Sequence, residues 1–201
     1  MGRRIKKKRW REDEETEGVP TGGLYTDPES ASEVKDRSVY LMGEINEQSA
    51  AVVTSKLAGL AQVSERPIRL VINTYGGSID ESLAIYDTMK LIRAPVHTIG
   101  IGKIMSAGVL LLAAGTKGKR LIGARARIMI HNAWGGMIGD PWELKTELKE
   151  FERLARLEEE CLLAESKMTR KQLDKILKNR LEHYVTPEEV VKFGIADKIT
   201  S

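Results

Sequence analysis

The chain has 201 residues, a formal net charge of +3 and a single cysteine, Cys161. One domain fits this length, and one cysteine excludes both an internal disulfide and a cysteine-rich zinc site. The small net charge gives no indication of nucleic-acid binding, no apolar run approaches the ~20 residues of a membrane span, and no apolar segment follows the basic N-terminus as in a secretory signal. We therefore expect a cytoplasmic protein in a reducing compartment, with no nucleic-acid partner and no membrane span.

Residues 1–36 are predicted to be a charged, disordered arm and linker. Basic residues dominate positions 2–11 and acidic residues follow directly at positions 12–17, a pattern typical of solvated segments. The alternative is a docking or nucleic-acid-binding tail anchored by Trp10. The folded domain is then predicted to cover residues 37–201.

Strands and helices alternate along the first half of this domain. Residues 38–42 and 68–72 are predicted strands, the second mostly apolar and therefore buried. Residues 49–61 and 80–92 carry apolar side chains at helical spacing. The alternation predicts an α/β layered fold with mostly parallel strand pairing.

The next segment contains the first chemical group of interest, Ser106. A β-branched stretch after Pro95 predicts a strand that runs into Ser106, and residues 109–114 predict a buried helix. A serine on such a strand-to-helix turn exposes its hydroxyl beside the unpaired N–H groups that begin the helix. These are the parts that acyl transfer requires, a nucleophile next to donors for an oxyanion.

A second chemical group, His131, follows the predicted strand at residues 127–130. Sites in α/β folds lie at strand ends, and imidazole is the side chain whose pKa suits a base at neutral pH. Gly76 and Gly77 lie in the segment after the buried strand 68–72, where glycine lets backbone N–H groups approach a ligand closely. Each residue alone has an ordinary structural explanation, and together they predict one hydrolytic site.

The C-terminal third is predicted to be helical. Asp140 and Pro141 begin a long helix over residues 142–167 as N-cap and first-turn residue. Capping boxes at Thr169 and Thr186 begin two shorter helices. The long helix is densely charged beside its apolar stripe, so we expect part of it to pack against a neighbouring subunit.

Several blocks of the sequence resemble the proteolytic subunit of the Clp proteases, the ClpP family. The resemblance covers about residues 37–199, and its specific blocks are residues 73–78, 83–89, 102–106, 111–120, 128–131 and 135–136. It implies a crotonase/ClpP-like layered α/β fold with mostly parallel sheets and a protruding long handle helix that joins ring to ring. It also implies a serine peptidase assembled as a homo-oligomer of seven-membered rings, commonly two stacked.

The resemblance implies roles for individual residues. Ser106 would be the nucleophile, His131 the base, and the N–H groups of Gly77 and Ala107 the oxyanion hole. The family has an aspartate as its third triad member, and matching the stretch 184–189 puts Glu182 at that position. Glutamate is one methylene longer than aspartate, so the geometry of the triad must shift.

Alternatives to these roles stay open. Glu182 can instead be a surface carboxylate, with Asn179, Asp174 or His183 as the nearby substitute for the third triad member. Lys103 offers a Ser–Lys dyad, although a lysine three residues before the nucleophile is poorly placed to reach its Oγ.

Other departures from the family pattern concern partners. Thr74 and Tyr75 replace the usual Ser-Pro before the two glycines, and Arg69, Val71 and Leu91 stand where aromatic docking residues are common. These differences argue against a Clp-type ATPase partner and leave the peptidase chemistry untouched.

The favoured function is ATP-independent hydrolysis of unfolded proteins or peptides by a serine endopeptidase inside a ring oligomer, with no cofactor and no metal. One alternative is a crotonase-fold acyl-CoA hydratase or isomerase, which needs a carboxylate base and no nucleophile. The other is a non-catalytic ring subunit that modulates an active paralogue.

Overall fold

Seven strands form one sheet in the computed structural model, which describes residues 36–178 and 182–200. The strands are β1 (Ser38–Ile45), β2 (Ile68–Gly77), β3 (Val96–Met105), β4 (Leu121–Gly123), β5 (Arg127–Ile130), β6 (His183–Val185) and β7 (Lys198–Thr200). The helices are α1 (Glu47–Val63), α2 (Ile79–Leu91), α3 (Ala107–Ala113), α4 (Pro141–Glu165), α5 (Arg170–Leu177) and α6 (Pro187–Lys192).

The strand order is β1-β2-β3-β4-β7, with β5 paired to β3 and β6 paired to β5. Only the β5–β6 pair is antiparallel among the described strands. The predicted mixed α/β fold with mostly parallel pairing is therefore confirmed.

Strand β3 divides its pairing between two neighbours. Its first half pairs with β4 through Ile99 and Gly100, and its second half pairs with β5 from Lys103 to Met105. Gly102, between the two halves, has a φ of 62°, which glycine adopts without strain. The change of partner brings β5 beside the end of β3, where Ser106 follows.

The core is aliphatic and centres on helix α3. Ile68, Leu70 and Ile72 of β2 are fully buried, and every residue of α3 is buried. The predicted buried helix is confirmed, but it begins at Ala107, directly after Ser106, because the chain turns into the helix without a linker.

An ion pair ties the C-terminal segment to the end of α3. Arg120, only 3% exposed, places Nη2 at 2.6 Å from Oδ1 of Asp197, and its Nη1 donates to the carbonyls of Ala113 and Glu165. The carboxylate of Glu165 in turn pairs with Lys90 of α2 and with Lys117. Three distant parts of the chain are thereby joined through polar contacts centred on the buried side chains of Arg120 and Glu165.

The predicted starts of the C-terminal helices are confirmed by their caps. Asp140 accepts from the N–H groups of Trp142 and Glu143 at the start of α4, and Thr169 and Thr186 form capping boxes at α5 and α6. Only Leu162 and Glu165 of α4 are buried in this chain. The packing of α4 against a neighbouring subunit stays a prediction.

Two expectations differ from the structure and one lies outside it. Strands β1 and β2 continue past their predicted ends at residues 42 and 72, to Ile45 and Gly77, because they pair with each other over this stretch. The three-residue strands β4, β6 and β7 were not predicted, since runs that short carry no periodicity. The predicted arm at residues 1–36 lies, except for its last residue, outside the described residues.

No described helix combines the length and the hydropathy needed to cross a membrane.

Candidate active site

Ser106 occupies the turn between β3 and α3 in a strained backbone conformation. Its φ of 53° and ψ of −128° make it the single non-glycine residue with positive φ among the described residues. Such a conformation costs of order 1–3 kcal/mol and persists only where neighbours hold it.

Two hydrogen bonds hold the backbone of Ser106 in place. Its N–H donates to the carbonyl of Met129 in β5 at 2.9 Å, and its carbonyl accepts from the N–H of Val109 in α3 at 2.9 Å. The first bond continues the β3–β5 ladder by one residue past Met105. His131 lies two residues beyond Met129, so this ladder also sets the distance between the serine and the histidine.

The end of strand β2 closes over the same turn at Gly76. A Cβ atom on Gly76 would lie 2.6 Å from Cβ of Ser106, a separation that no side chain tolerates. The hydroxyl of buried Thr74 accepts from the N–H of Gly76 and donates to the carbonyl of Gly43. Thr74 thus fixes the glycine against the serine, a positioning contact that the sequence pattern did not indicate.

Nε2 of His131 lies 2.8 Å from Oγ of Ser106. The two residues are 25 positions apart in the sequence, and the structure brings them together at the ends of β3 and β5. Burial lowers the pKa of His131, while the charge of Glu182 raises it in part. The net shift is downward, so the imidazole is neutral at pH 7 and able to accept a proton.

Glu182 lies beside His131 through the β5–β6 ladder. Ile130 pairs with His183 at the end of this antiparallel ladder, and His131 directly follows Ile130 while Glu182 directly precedes His183. The carboxylate Oε2 of Glu182 accepts from the hydroxyl of Tyr184 at 2.8 Å. No hydrogen bond joins Glu182 to His131 within the described residues, so their interaction in this structure is electrostatic.

The other candidates for the third triad position lie elsewhere. Asp174 is exposed on α5 and its Oδ1 is 4.0 Å from Arg170. His183 is exposed on β6, and Asn179 lies outside the described residues. Glu182 is the candidate that shares a cavity with Ser106 and His131.

Lys103 contacts an aromatic ring and not Ser106. Its Nζ lies 4.2 Å from the ring centroid of Tyr75 in a cation–π contact. The lysine does not line the cavity that holds Ser106. This placement gives no support to a Ser–Lys dyad.

The two candidate oxyanion donors are Gly77, the last residue of β2, and Ala107, which directly follows Ser106. Ala107 begins α3, so its N–H has no acceptor within the helix, and the Ser106 side chain does not cap that helix. Gly77 has a φ of 151°, and a Cβ atom on it would lie 2.1 Å from the carbonyl oxygen of Ile45, so a side chain is excluded there.

A cavity of about 880 Å³ contains the serine, the histidine and Glu182. Its walls come from β2, α3, α4 and the β5–β6 pair. Helix α4 contributes Phe151, Leu154, Glu158, Glu159 and Leu162 to the lining. An extended peptide has room to lie across Ser106 in a cleft of this size.

Sequence reasoning missed several lining residues. Arg127 and Tyr184 line the cavity and contact each other, with the guanidinium carbon 5.5 Å from the ring centroid. Their cross-strand position became visible only with β6. Within residues 36–178 and 182–200, no group of three or more His, Cys, Asp or Glu side chains is arranged to hold a metal ion.

Comparison with known proteins gives one consistent result. The family model described as Clp protease matches residues 28–201. The ATP-dependent Clp protease proteolytic subunits of Borreliella afzelii (strain PKo) and Borrelia garinii subsp. bavariensis are each 37% identical to this chain over 167 residues, which is 83% of this chain and 84% and 85% of those proteins. The ATP-dependent Clp protease proteolytic subunit 1 of Borreliella burgdorferi is 36% identical over the same share of this chain.

Proposed function

The chain belongs to the Clp protease family and is a serine-type endopeptidase, and from this premise we propose that Ser106 and His131 cleave peptide bonds in unfolded chains. The observation that carries the proposal is the 2.8 Å separation of Ser106 Oγ and His131 Nε2. The strained Ser106 backbone supports it, because strain of this kind clusters at active sites.

The first half of the reaction forms an acyl-enzyme. With its proton on Nδ1, His131 accepts the hydroxyl proton of Ser106 at Nε2 while Oγ bonds to the substrate carbonyl carbon. The carbonyl oxygen becomes an oxyanion, and the N–H groups of Gly77 and Ala107 donate to it. The C–N bond then breaks as Nε2 returns the proton to the leaving amine.

The second half releases the acyl group by the reverse use of the same residues. His131 takes a proton from water as the water oxygen bonds to the acyl carbon, and the proton passes to Oγ of Ser106 when the ester bond breaks. No cofactor or nucleotide takes part in either half, so short peptides are cleaved without ATP.

Glu182 serves as the positioning residue for His131. A carboxylate beside the ring favours the tautomer with its proton on Nδ1 and stabilises the imidazolium formed during the reaction. For this the side chain exchanges its hydrogen bond from Tyr184 for one with His131, a movement available to an exposed glutamate with three side-chain torsions.

The active assembly is a homo-oligomeric ring in which the cavity faces an enclosed chamber that admits extended chains. Large apolar side chains on α4 and the segment before it support this, since exposed apolar clusters mark subunit contacts. These are Trp134, Ile138, Trp142 and Leu148, each at least 49% exposed.

Hydrolysis of a fluorogenic peptide by the purified full-length protein tests the proposal. We expect Ser106→Ala to lower kcat/KM by at least about 10³-fold, as for other serine nucleophiles. Ser55→Ala, an exposed serine on α1, should leave the rate unchanged. Equal rates in wild type and Ser106→Ala would contradict the proposal and favour a non-catalytic ring subunit.

A further inference from the structure

One face of helix α4 lines the cavity beside Ser106 and is interrupted by a carboxylate. Phe151, Leu154, Glu158 and Leu162 recur at spacings of three and four residues and all line the cavity. This spacing places them on one helical face. A hydrophobic residue is expected at position 158 of such a stripe, and a glutamate stands there instead.

The side chain of Glu158 has no counter-charge of its own. No hydrogen bond or ion pair to Glu158 occurs among the described residues, whereas neighbouring Glu159 pairs with Arg170. Burial, and after it the charge of Glu159, raise the pKa of Glu158 to about 7. A carboxylate in an apolar wall is costly unless a cation meets it.

The charged groups that line the cavity together with Glu158 are mostly negative. Glu159 on α4, Glu44 on β1, Asp80 on α2 and Glu182 before β6 are carboxylates, Arg127 on β5 is the cation, and His131 is neutral at pH 7. Arg127 lies against the ring of Tyr184. The cavity therefore favours a positively charged occupant.

We propose that Glu158 determines substrate specificity by binding the lysine or arginine side chain of an extended peptide that lies across Ser106. The proposal rests on the proposed function, since it takes the peptide to be held in the cavity for cleavage. The aliphatic stem of the basic residue packs on Phe151, Leu154 and Leu162, and its charged end meets the carboxylate.

The preference for basic peptides depends on pH through Glu158. Near pH 6 the carboxyl is largely protonated and offers a neutral hydrogen-bonding group, and near pH 8 it is ionised and pairs with the cation. The ratio of kcat/KM for a basic peptide to that for a neutral peptide is therefore expected to rise between these values. Taking the ratio cancels the titration of His131, because both peptides require the same base.

The test uses the full-length protein and matched fluorogenic peptides. The peptides carry lysine, norleucine or glutamate at each of the two positions before the cleaved bond in turn. In wild type, lysine is preferred over norleucine at one of these positions. We expect Glu158→Gln to lower the lysine-to-norleucine ratio about tenfold, the size of a hydrogen bond to a charged group, and to remove its rise with pH.

A matched control variant and a second readout distinguish a loss of specificity from a general loss of activity. Glu160→Gln alters an exposed carboxylate of the same helix that does not line the cavity, and the ratio should stay at the wild-type value. An unchanged ratio in Glu158→Gln, or an equal loss for all peptides, would overturn the inference. Cleavage of norleucine peptides that requires Ser106 reports the proposed function separately, so each can fail without the other.

Discussion

At Ser106, the strained backbone and its hydrogen bonds together fix the position of the side-chain hydroxyl. Ser106 has a positive φ at the turn between β3 and α3, and the bonds to Met129 and Val109 hold its backbone in that conformation. The hydroxyl is thereby held at one position, within reach of His131. Preorganisation of this kind removes part of the orientational cost of the reaction.

The pH dependence of activity tests the role of Glu182 at the residue scale. Burial lowers the pKa of His131 and the Glu182 charge raises it, so Glu182→Gln leaves burial acting alone. The pKa of His131 then falls further, and the acid limb of the kcat/KM profile moves to lower pH. We also expect a loss of rate of about 10²-fold or more from the missing carboxylate.

A matched variant separates this effect from a change in surface charge. Glu188→Gln removes an exposed carboxylate of α6 and should leave both the rate and the acid limb unchanged. Tyr184→Phe frees the Glu182 carboxylate from its present partner and should preserve or raise activity. An acid limb that stays in place in Glu182→Gln would remove Glu182 from the mechanism.

At the scale of elements, the site is assembled where the ends of β2, β3 and β5 meet. The contact between β2 and the β3–α3 turn occurs at Gly76, where an added Cβ would lie 2.6 Å from Cβ of Ser106 and 2.8 Å from the carbonyl oxygen of Met105. Gly76→Ala must therefore displace the nucleophile. We expect at least a 10²-fold loss of kcat in a peptidase assay, the consequence of a misplacement of about 1 Å.

Gly118→Ala is the matched control for that substitution. Its φ of 81° resembles the 92° of Gly76, so the backbone strain is similar. An added Cβ on Gly118 meets nothing within 4 Å, so it should lose stability without losing activity per folded molecule. Equal activity losses in the two variants would show that strain, and not displacement of Ser106, causes the effect.

The same elements show what could be predicted from the sequence. Ser106 and His131 were predicted to converge because each follows an apolar run that reads as a strand, and parallel strands end at one edge. The geometry at Glu182 depends on β6, whose three residues carry no pattern. Glu158 was missed because a glutamate in a densely charged helix is typical of a solvated face, and only the packed cavity shows otherwise.

At the scale of the whole molecule, ion pairs and hydrogen bonds connect elements that are far apart in the sequence, in addition to the aliphatic core. The Arg120–Asp197 pair and the Glu165 contacts connect the end of α3, α4 and the C-terminal strand. Arg120 is 77 positions from Asp197 and 45 positions from Glu165, and sequence periodicity does not report on pairs so distant. The α/β class could be predicted because it follows from the alternation of strand and helix patterns along the sequence. These tertiary contacts leave no such local pattern and could not be predicted.

The most direct measurement for the account is covalent labelling of the full-length protein in its native oligomeric state with a fluorophosphonate, followed by mass spectrometry of the modified peptide. We predict an adduct on Ser106, formed much more slowly in His131→Ala and absent from Ser106→Ala. Labelling at another serine, or no adduct in the assembled protein, would contradict Ser106 as the nucleophile.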